Sequence, residues 1–298
     1  MSHCLAADYA ACDRLARRAA SNFYLSFALL DPARRRAMTA LYAFLRQTDD
    51  LGDNPRPVEE RLAALACWRA ALDRALAGSY ETPVLAALAD SVARFGIPPA
   101  YLRTVIDGVQ RDVAGVRFGT YGELAHYCYQ VAVVVGFACL HVWGYSSPAV
   151  FGYAYHAGLA FQLTNVLRDL REDALAGRVY LPAEDLDRFG YSEGDLLALR
   201  PNEAFCELLA FEAARAETLF DQSVPLAEHL SPTGRAAFGT MSATYRALLS
   251  EIRRAGPQVL RARVCLNRWR KLRIAARWLP RAPHWPWCAW RLALVPFA

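Results

Sequence analysis

Between Glu123 and Arg168 the chain carries no Asp, Glu, Lys or Arg. A run that long either crosses a membrane or is surrounded by the rest of the protein. A membrane span needs about 20 predominantly apolar residues, and "WGYSSPA" (143–149) divides the run into two pieces barely long enough. Tyr127, Gln130, His141, His156, Gln162 and Asn165 are spread along both pieces. Such groups are costly in lipid but easily satisfied inside a protein. The run is therefore read as two central helices enclosed by others, able to line a cavity for a long apolar ligand.

The remainder of the sequence is helical in pattern. Segments such as "RLAALACWRAALDRALA" (61–77) repeat apolar residues at three-and-four spacing, and no strand-like alternation persists beyond a few positions. Turn signals fall at 53–57 ("DNPRP"), 95–99 ("FGIPP"), 144–148 ("GYSSP"), 175–182 ("LAGRVYLP"), 230–234 ("LSPTG") and 254–258 ("RAGPQ"). With no internal repeat or low-complexity linker among the 298 residues, an all-α chain forming one compact domain is expected.

Charge is unevenly distributed. Eleven Arg or Lys and no acid follow Glu251, leaving 23 bases against 29 acids before that point, although the whole chain is +5. The tail "NRWRKLRIAARWLPRAPHWPWCAWRLALVPFA" (267–298) interleaves Trp with Arg and Pro. This suits a peripheral contact with a membrane surface, and equally a segment packed on the body. Pro280, Pro283, Pro286 and Arg291 interrupt it too often for a span, and nucleic acid fits least well. Eight cysteines without a CxxC pair, behind an N-terminus lacking a secretory pattern, suggest a reducing cytoplasm, with the tail as any contact with the membrane's inner face.

Two acidic clusters end the apolar helices. In "RQTDDLGDN", Asp49 and Asp53 are four apart and share a helical face, with Gly52, Asn54 and Pro55 stopping the helix. In "FQLTNVLRDLREDALAGRVYLP", Asn165, Asp169 and Asp173 repeat the same spacing before Gly177. Acids at a helix C-terminus oppose its dipole by ~0.3–1 kcal/mol each. If the two stripes face one another, their mutual repulsion calls for a counter-charge. Oxygen-only donors suit Mg²⁺, which commonly shares its shell with substrate phosphates, so a diphosphate ligand is implied. Arg46 and Arg168, one beside each cluster, would contact the same phosphates. One DxxxD alone reads more simply as a solvated helix end.

"SNFYLSFALL", "ALYAFLRQTDDLGD", "YCYQVAVVVG" and "LTNVLRDLREDALAGRVYLP" together resemble the squalene/phytoene synthase family of head-to-head prenyl transferases, over roughly residues 20–265. The resemblance implies an isoprenoid-synthase fold with a central apolar cavity whose two aspartate motifs bind Mg²⁺ and prenyl diphosphates. By motif, Asp49, Asp53, Asn165, Asp169 and Asp173 match metal ligands; Tyr42, Arg46, Tyr127 and Arg168 match catalytic positions; Phe23, Gln162, Asn165, Tyr245 and Arg263 match substrate contacts. Tyrosine faces would stabilise passing positive charge. Two departures stand out: Asn22 replaces a hydroxyl expected to touch phosphate, and Val133 stands where a smaller residue is usual, which would reshape the tunnel.

Within the family, "TNVLRDLRED" resembles the diphosphate-condensing branches, while Asn22 before Phe23 points towards the hydroxysqualene branch. The reading favoured is two farnesyl diphosphates condensed to presqualene diphosphate or squalene. Phytoene from two geranylgeranyl diphosphates and hydroxysqualene formation are the alternatives. NADPH use stays open, since family reductases bind it without a glycine fingerprint. Some relatives that have lost the aspartates serve as assembly factors; here the aspartates are present.

Overall fold

The computed structural model describes residues 4–18 and 24–278, and among these residues it contains helices and no strand. Phe23 and Asn22 lie outside the described residues, as does the tail beyond Trp278. The first group of helices is α1 (Leu5–Arg18), α2 (Tyr24–Phe27), α3 (Pro32–Gly52), α4 (Val58–Leu76), α5 (Pro83–Phe95) and α6 (Pro99–Val113). The uncharged run supplies α7 (Tyr121–Cys128), α8 (Val134–Trp143) and α9 (Val150–Leu175). Short α10 (Ala183–Arg188) and α11 (Glu193–Leu197) lead into α12 (Glu203–Gln222), α13 (Pro232–Ala255) and α14 (Arg268–Trp278).

Helix α3 shows how local sequence sets the frame. Asp31 caps its start, accepting from Ala33 N and Arg34 N, and Pro32 occupies the first turn, where no N–H is needed. The buried face carries Met38, Leu41 and Phe44; Phe44 stacks on Trp68 at 5.7 Å, and the Trp68 indole donates to Thr48 Oγ1 at 2.9 Å. Burying each large apolar side chain contributes about 1.5–3 kcal/mol. At the other end Gly52 is required: a Cβ there would lie 2.6 Å from Val109 Cγ1. Its absence lets the end of α3 rest on α6 and brings Asp53 and Asp112 into the same recess.

The uncharged run is an interior element. Tyr121–Trp143 is apolar and long enough to cross a membrane, yet 56% of its most apolar window is buried in the protein, where it packs on α6 and α9. Two large apolar clusters form among the described residues. One gathers α1, α3, α5 and α6 around Leu41, Phe44, Leu85 and Leu88; the other gathers α9, α12 and α13 around Leu163, Leu167, Phe205 and Phe220. Phe137 and Phe161 pack against both.

Between α7 and α8 lies a π-helical turn, Tyr129–Val133. It rotates the following residues relative to a regular helix. Val133 is fully buried and packs against α9, where a Cβ on Gly158 would lie 2.6 Å from the Val133 Cα. The expectation that Val133 reshapes the tunnel is therefore corrected: Val131, Ala132, Val135 and Gly136 line the cavity, and Val133 faces the α9 backbone.

Candidate active site

A cavity of about 590 Å³ separates the two apolar clusters. Its long walls are α3 and α9. Asp49 and Asn165 stand at one end, Met38 and Ala154 at the other, about three helical turns or roughly 16 Å away. Gly136, Ala154, Ala157 and Gly158 keep the middle wide, while Phe27, Met38, Trp143 and Phe238 line its apolar wall. Phe27 meets Tyr42 edge-on at 6.2 Å, and Phe161 meets Tyr245 at 4.8 Å.

At the polar end a recess of about 380 Å³ adjoins the cavity. Asp49 and Asp53 line it from the end of α3, and Asn165, Asp169 and Asp173 from α9. The two stripes expected from spacing do converge on one volume. Arg46, Gln162 and Arg168 line both spaces, and Tyr42, Tyr245 and Arg263 line the cavity. Tyr127 does not line the apolar cavity. It lines the recess instead, stacked on Tyr180 at 5.6 Å.

Arginines hold most of these carboxylates. Asp169 is paired with Arg168 and, at 2.8 Å, with Arg263. Arg178 reaches Asp53 at 3.2 Å and Asp173 at 3.1 Å, joining the two clusters across the recess. Arg46 points to the rim, where it pairs with Asp50 at 2.7 Å, both side chains being about half exposed.

Compensation is incomplete. Asp49 is open to solvent at the floor of a concave site, where protein crowds it on most sides. That crowding, reinforced by Asp53, raises its carboxyl to about 7 despite nearby Arg46. Burial likewise lifts Asp173 to about 6 against the pull of Arg178. Asp112 is raised by burial and by Asp53, with Tyr180 donating to it in opposition. Burial next to Asp112 holds Tyr127 well above the usual phenol range, so it remains a hydrogen-bond donor. Tyr245 is pushed up to about 12 by burial while Arg168 stands beside it.

A recess lined by carboxylates and arginines and opening into a long apolar cavity suits a ligand with a charged head and a greasy tail. Known proteins show the same arrangement of sequence and fold. The squalene/phytoene synthase family model matches residues 16–270. The chain belongs to this family. It is 34% identical over 280 residues to the 15-cis-phytoene synthase of Synechococcus elongatus, covering 90% of this chain and 91% of that one. It is 36% identical over 271 residues to the phytoene synthase of Mycobacterium tuberculosis, covering 90% and 89%. Among solved structures, squalene synthase HpnC from Alicyclobacillus acidocaldarius superposes with a TM-score of 0.79 at 30% identity, over 85% of this chain and 95% of that one.

Four residues of this family member's site are not signalled by the sequence pattern. Asp112 on α6 enters the recess from a helix whose sequence shows no second acid at i ± 4 on that face. Arg178 and Tyr180 sit inside "GRVYLP", read only as a turn and a family signature. Lys271 of α14 lines the cavity beside Cys265 and Leu266, and burial lowers its pKa. Nothing in the periodicity of the tail placed it there.

The recess offers oxygen donors that could hold a hard cation. Asn165 Oδ1 is buried without a hydrogen-bond partner, and its amide nitrogen donates to Gln162 Oε1 at 3.2 Å. Among the described residues no three acidic, His or Cys side chains stand close enough to chelate one ion by themselves. Any cation here would complete its shell with water or with oxygens of its ligand.

Proposed function

We propose that the protein joins two prenyl diphosphates head to head with release of diphosphate, and that its substrates are two C20 geranylgeranyl diphosphates, giving phytoene. The observation that supports the reaction is the meeting of five carboxylates and an orphaned amide oxygen with a roughly 16 Å apolar cavity. The C20 choice, against the farnesyl preference drawn from motifs alone, is supported by relatives named phytoene synthase that match nine-tenths of the chain.

In this reading Asp49, Asp53, Asn165, Asp169 and Asp173 hold Mg²⁺, which neutralises charge on the departing diphosphate when bound. Arg168, Arg263 and Lys271 at the cavity's polar end bind the diphosphate oxygens, and Arg46 joins them on leaving Asp50. Tyr245, held protonated beside Arg168, positions that guanidinium. Loss of diphosphate from one donor leaves an allylic cation, the second donor's double bond attacks it, and proton loss closes a cyclopropane. The apolar walls exclude water from the cation, and the rings of Phe27 and Tyr42 offer it electron density. A second ionisation followed by proton loss gives phytoene with no net redox change, so no nicotinamide is required.

The likeness to squalene synthase HpnC favours a second reading, in which two farnesyl diphosphates give presqualene diphosphate or squalene. Squalene formation needs a hydride, which NADPH would supply. Mass spectrometry of products from C15 and C20 diphosphates offered separately with Mg²⁺, with and without NADPH, separates the readings. Phytoene without NADPH is expected; C30 products alone would overturn the C20 assignment. No diphosphate release from either would mean a non-enzymatic relative. Membrane contact through the tail is proposed separately: deletion of the residues after Trp278 should reduce co-sedimentation with anionic vesicles, and unchanged partitioning would remove it.

A further inference from the structure

Arg178 stands where a cation would have to go. It follows Gly177, whose φ of +72° is readily adopted only by a residue without a side chain. This turn doubles the chain back over the end of α9, and the Arg178 N–H donates to the Asp173 carbonyl at 2.8 Å. The guanidinium is thereby aimed across the recess. Its Nη1 lies 3.2 Å from Asp53 Oδ1, and its Nε and Nη2 lie 3.1 Å from Asp173 Oδ1. The field of Asp112 also acts on it. One fork thus serves two carboxylates, from the ends of α3 and α9, at distances longer than the usual ~2.7–2.9 Å of a charge-assisted pair.

We infer that Arg178 is an internal counter-ion that latches the two acidic helix ends together in the cation-free protein and must give up those oxygens when a divalent cation binds. This rests on the metal-dependent reading above and deepens it. The same Asp53 and Asp173 oxygens cannot face a guanidinium and a divalent cation at once, because the two positive charges would share one small volume. Loading is therefore an exchange. A cation arriving alone displaces Arg178 into water, whereas one arriving with diphosphate offers the freed guanidinium new oxygens. The substrate-free protein accordingly binds cations weakly, and diphosphate strengthens that binding. Arg168 and Arg263 differ, since both sit on Asp169 and already line the cavity where the diphosphate is placed.

The test is Mn²⁺ binding to the full chain, followed by electron paramagnetic resonance, with and without inorganic pyrophosphate. For Arg178→Gln, affinity for Mn²⁺ alone should rise about tenfold over wild type, while the extra gain on adding pyrophosphate should shrink. The melting temperature without cation should fall and recover more on adding Mn²⁺ than it does in wild type. An affinity for Mn²⁺ alone that is unchanged or weaker overturns the inference. If Arg178→Gln does not fold, Arg178→Lys decides: one ammonium spans both carboxylates poorly, so its Mn²⁺ affinity should exceed that of wild type, and equality overturns the inference. If wild type takes up no Mn²⁺ even with pyrophosphate, the metal-dependent reading fails and the latch with it. Normal uptake by wild type with no change in either variant removes the latch alone.

Discussion

Two places in the molecule hold carboxylates on a shared arginine, and they behave in opposite ways. In one, Arg215 of α12 binds Asp185 at 2.7 Å and both oxygens of Glu212 at 2.8 and 2.9 Å. The rings of Tyr121 and Phe211 cover the guanidinium at 4.1 and 4.6 Å. Glu212 has no exposed surface, and none of the three residues lines the cavity or its recess. In the other, Arg178 spans Asp53 and Asp173 at longer range, with its side chain 35% exposed, on a recess that opens into the cavity. The ingredients match. What differs is access: the closed cluster ties α10 to α12 away from the cavity, while the open one leaves oxygens for a ligand.

The largest effect that would break this contrast is on turnover. Asp169→Ala or Asp49→Ala should lower product formation on the order of 100- to 1,000-fold or more, as removal of one electrostatic element of an active site does. The far-UV circular dichroism should not change, because neither side chain belongs to the core. Full activity in either variant would place the chemistry elsewhere.

Arg215→Met should show the reverse pattern. Leaving Glu212 and Asp185 buried without their partner should cost about 3–5 kcal/mol of stability in a denaturant titration. Turnover per folded molecule should hold. A loss of turnover in the folded variant would mean that the closed cluster serves the site as well.

Val133→Ala addresses the wall between the regions. It removes buried methyl groups worth about 1–2 kcal/mol and should leave product chain length unaltered, because Val133 packs on Gly158 and not on the cavity. A shift in product size on mass spectrometry would contradict this placement.

The smallest effects concern pH. Burial raises Glu212 to about 8, with Asp185 acting in the same direction. A folded-state pKa above the ordinary carboxylate value gives stability that is complete at low pH and is lost as pH rises through the folded pKa. Stability should therefore decline as pH rises from about 4.5, where the unfolded carboxyl loses its proton, to about 8, and level off above that; Glu212→Gln should flatten the decline. In the recess Asp49 and Asp173, at about 7 and 6, carry protons that an arriving cation must displace. Calorimetry of Mg²⁺ with pyrophosphate in buffers of different ionisation enthalpy should register proton release at pH 6 and less at pH 8. Equal release at both would show that these carboxylates titrate together with those of an unfolded chain.

Much of the site was legible because its signals are local. Spacing of four fixes which oxygens share a helical face, so Asp49 with Asp53, and Asn165 with Asp169 and Asp173, followed from helix geometry alone. The absence of charge from 124 to 167 likewise announced interior helices, since uncompensated charge is costly there. Arg178 was less visible. Its neighbours in sequence are a glycine turn and a tyrosine, and its partner Asp53 lies far away in the chain. Asp112 left no periodic trace, and the place of Val133 follows from the π turn and the close approach of Gly158, neither of which the local pattern announces.

The helices, their ends, the two oxygen stripes and the family are legible in the residues alone, because each rests on positions within a few turns of one another or on a motif. Which arginine meets which carboxylate, that α6 adds Asp112 and α14 adds Lys271, and which valines face the cavity emerge only from the packing of whole helices. Those outcomes depend on close approaches permitted at Gly52 and Gly158. Contacts between segments distant in the chain are set by how whole helices pack, and no local pattern encodes them.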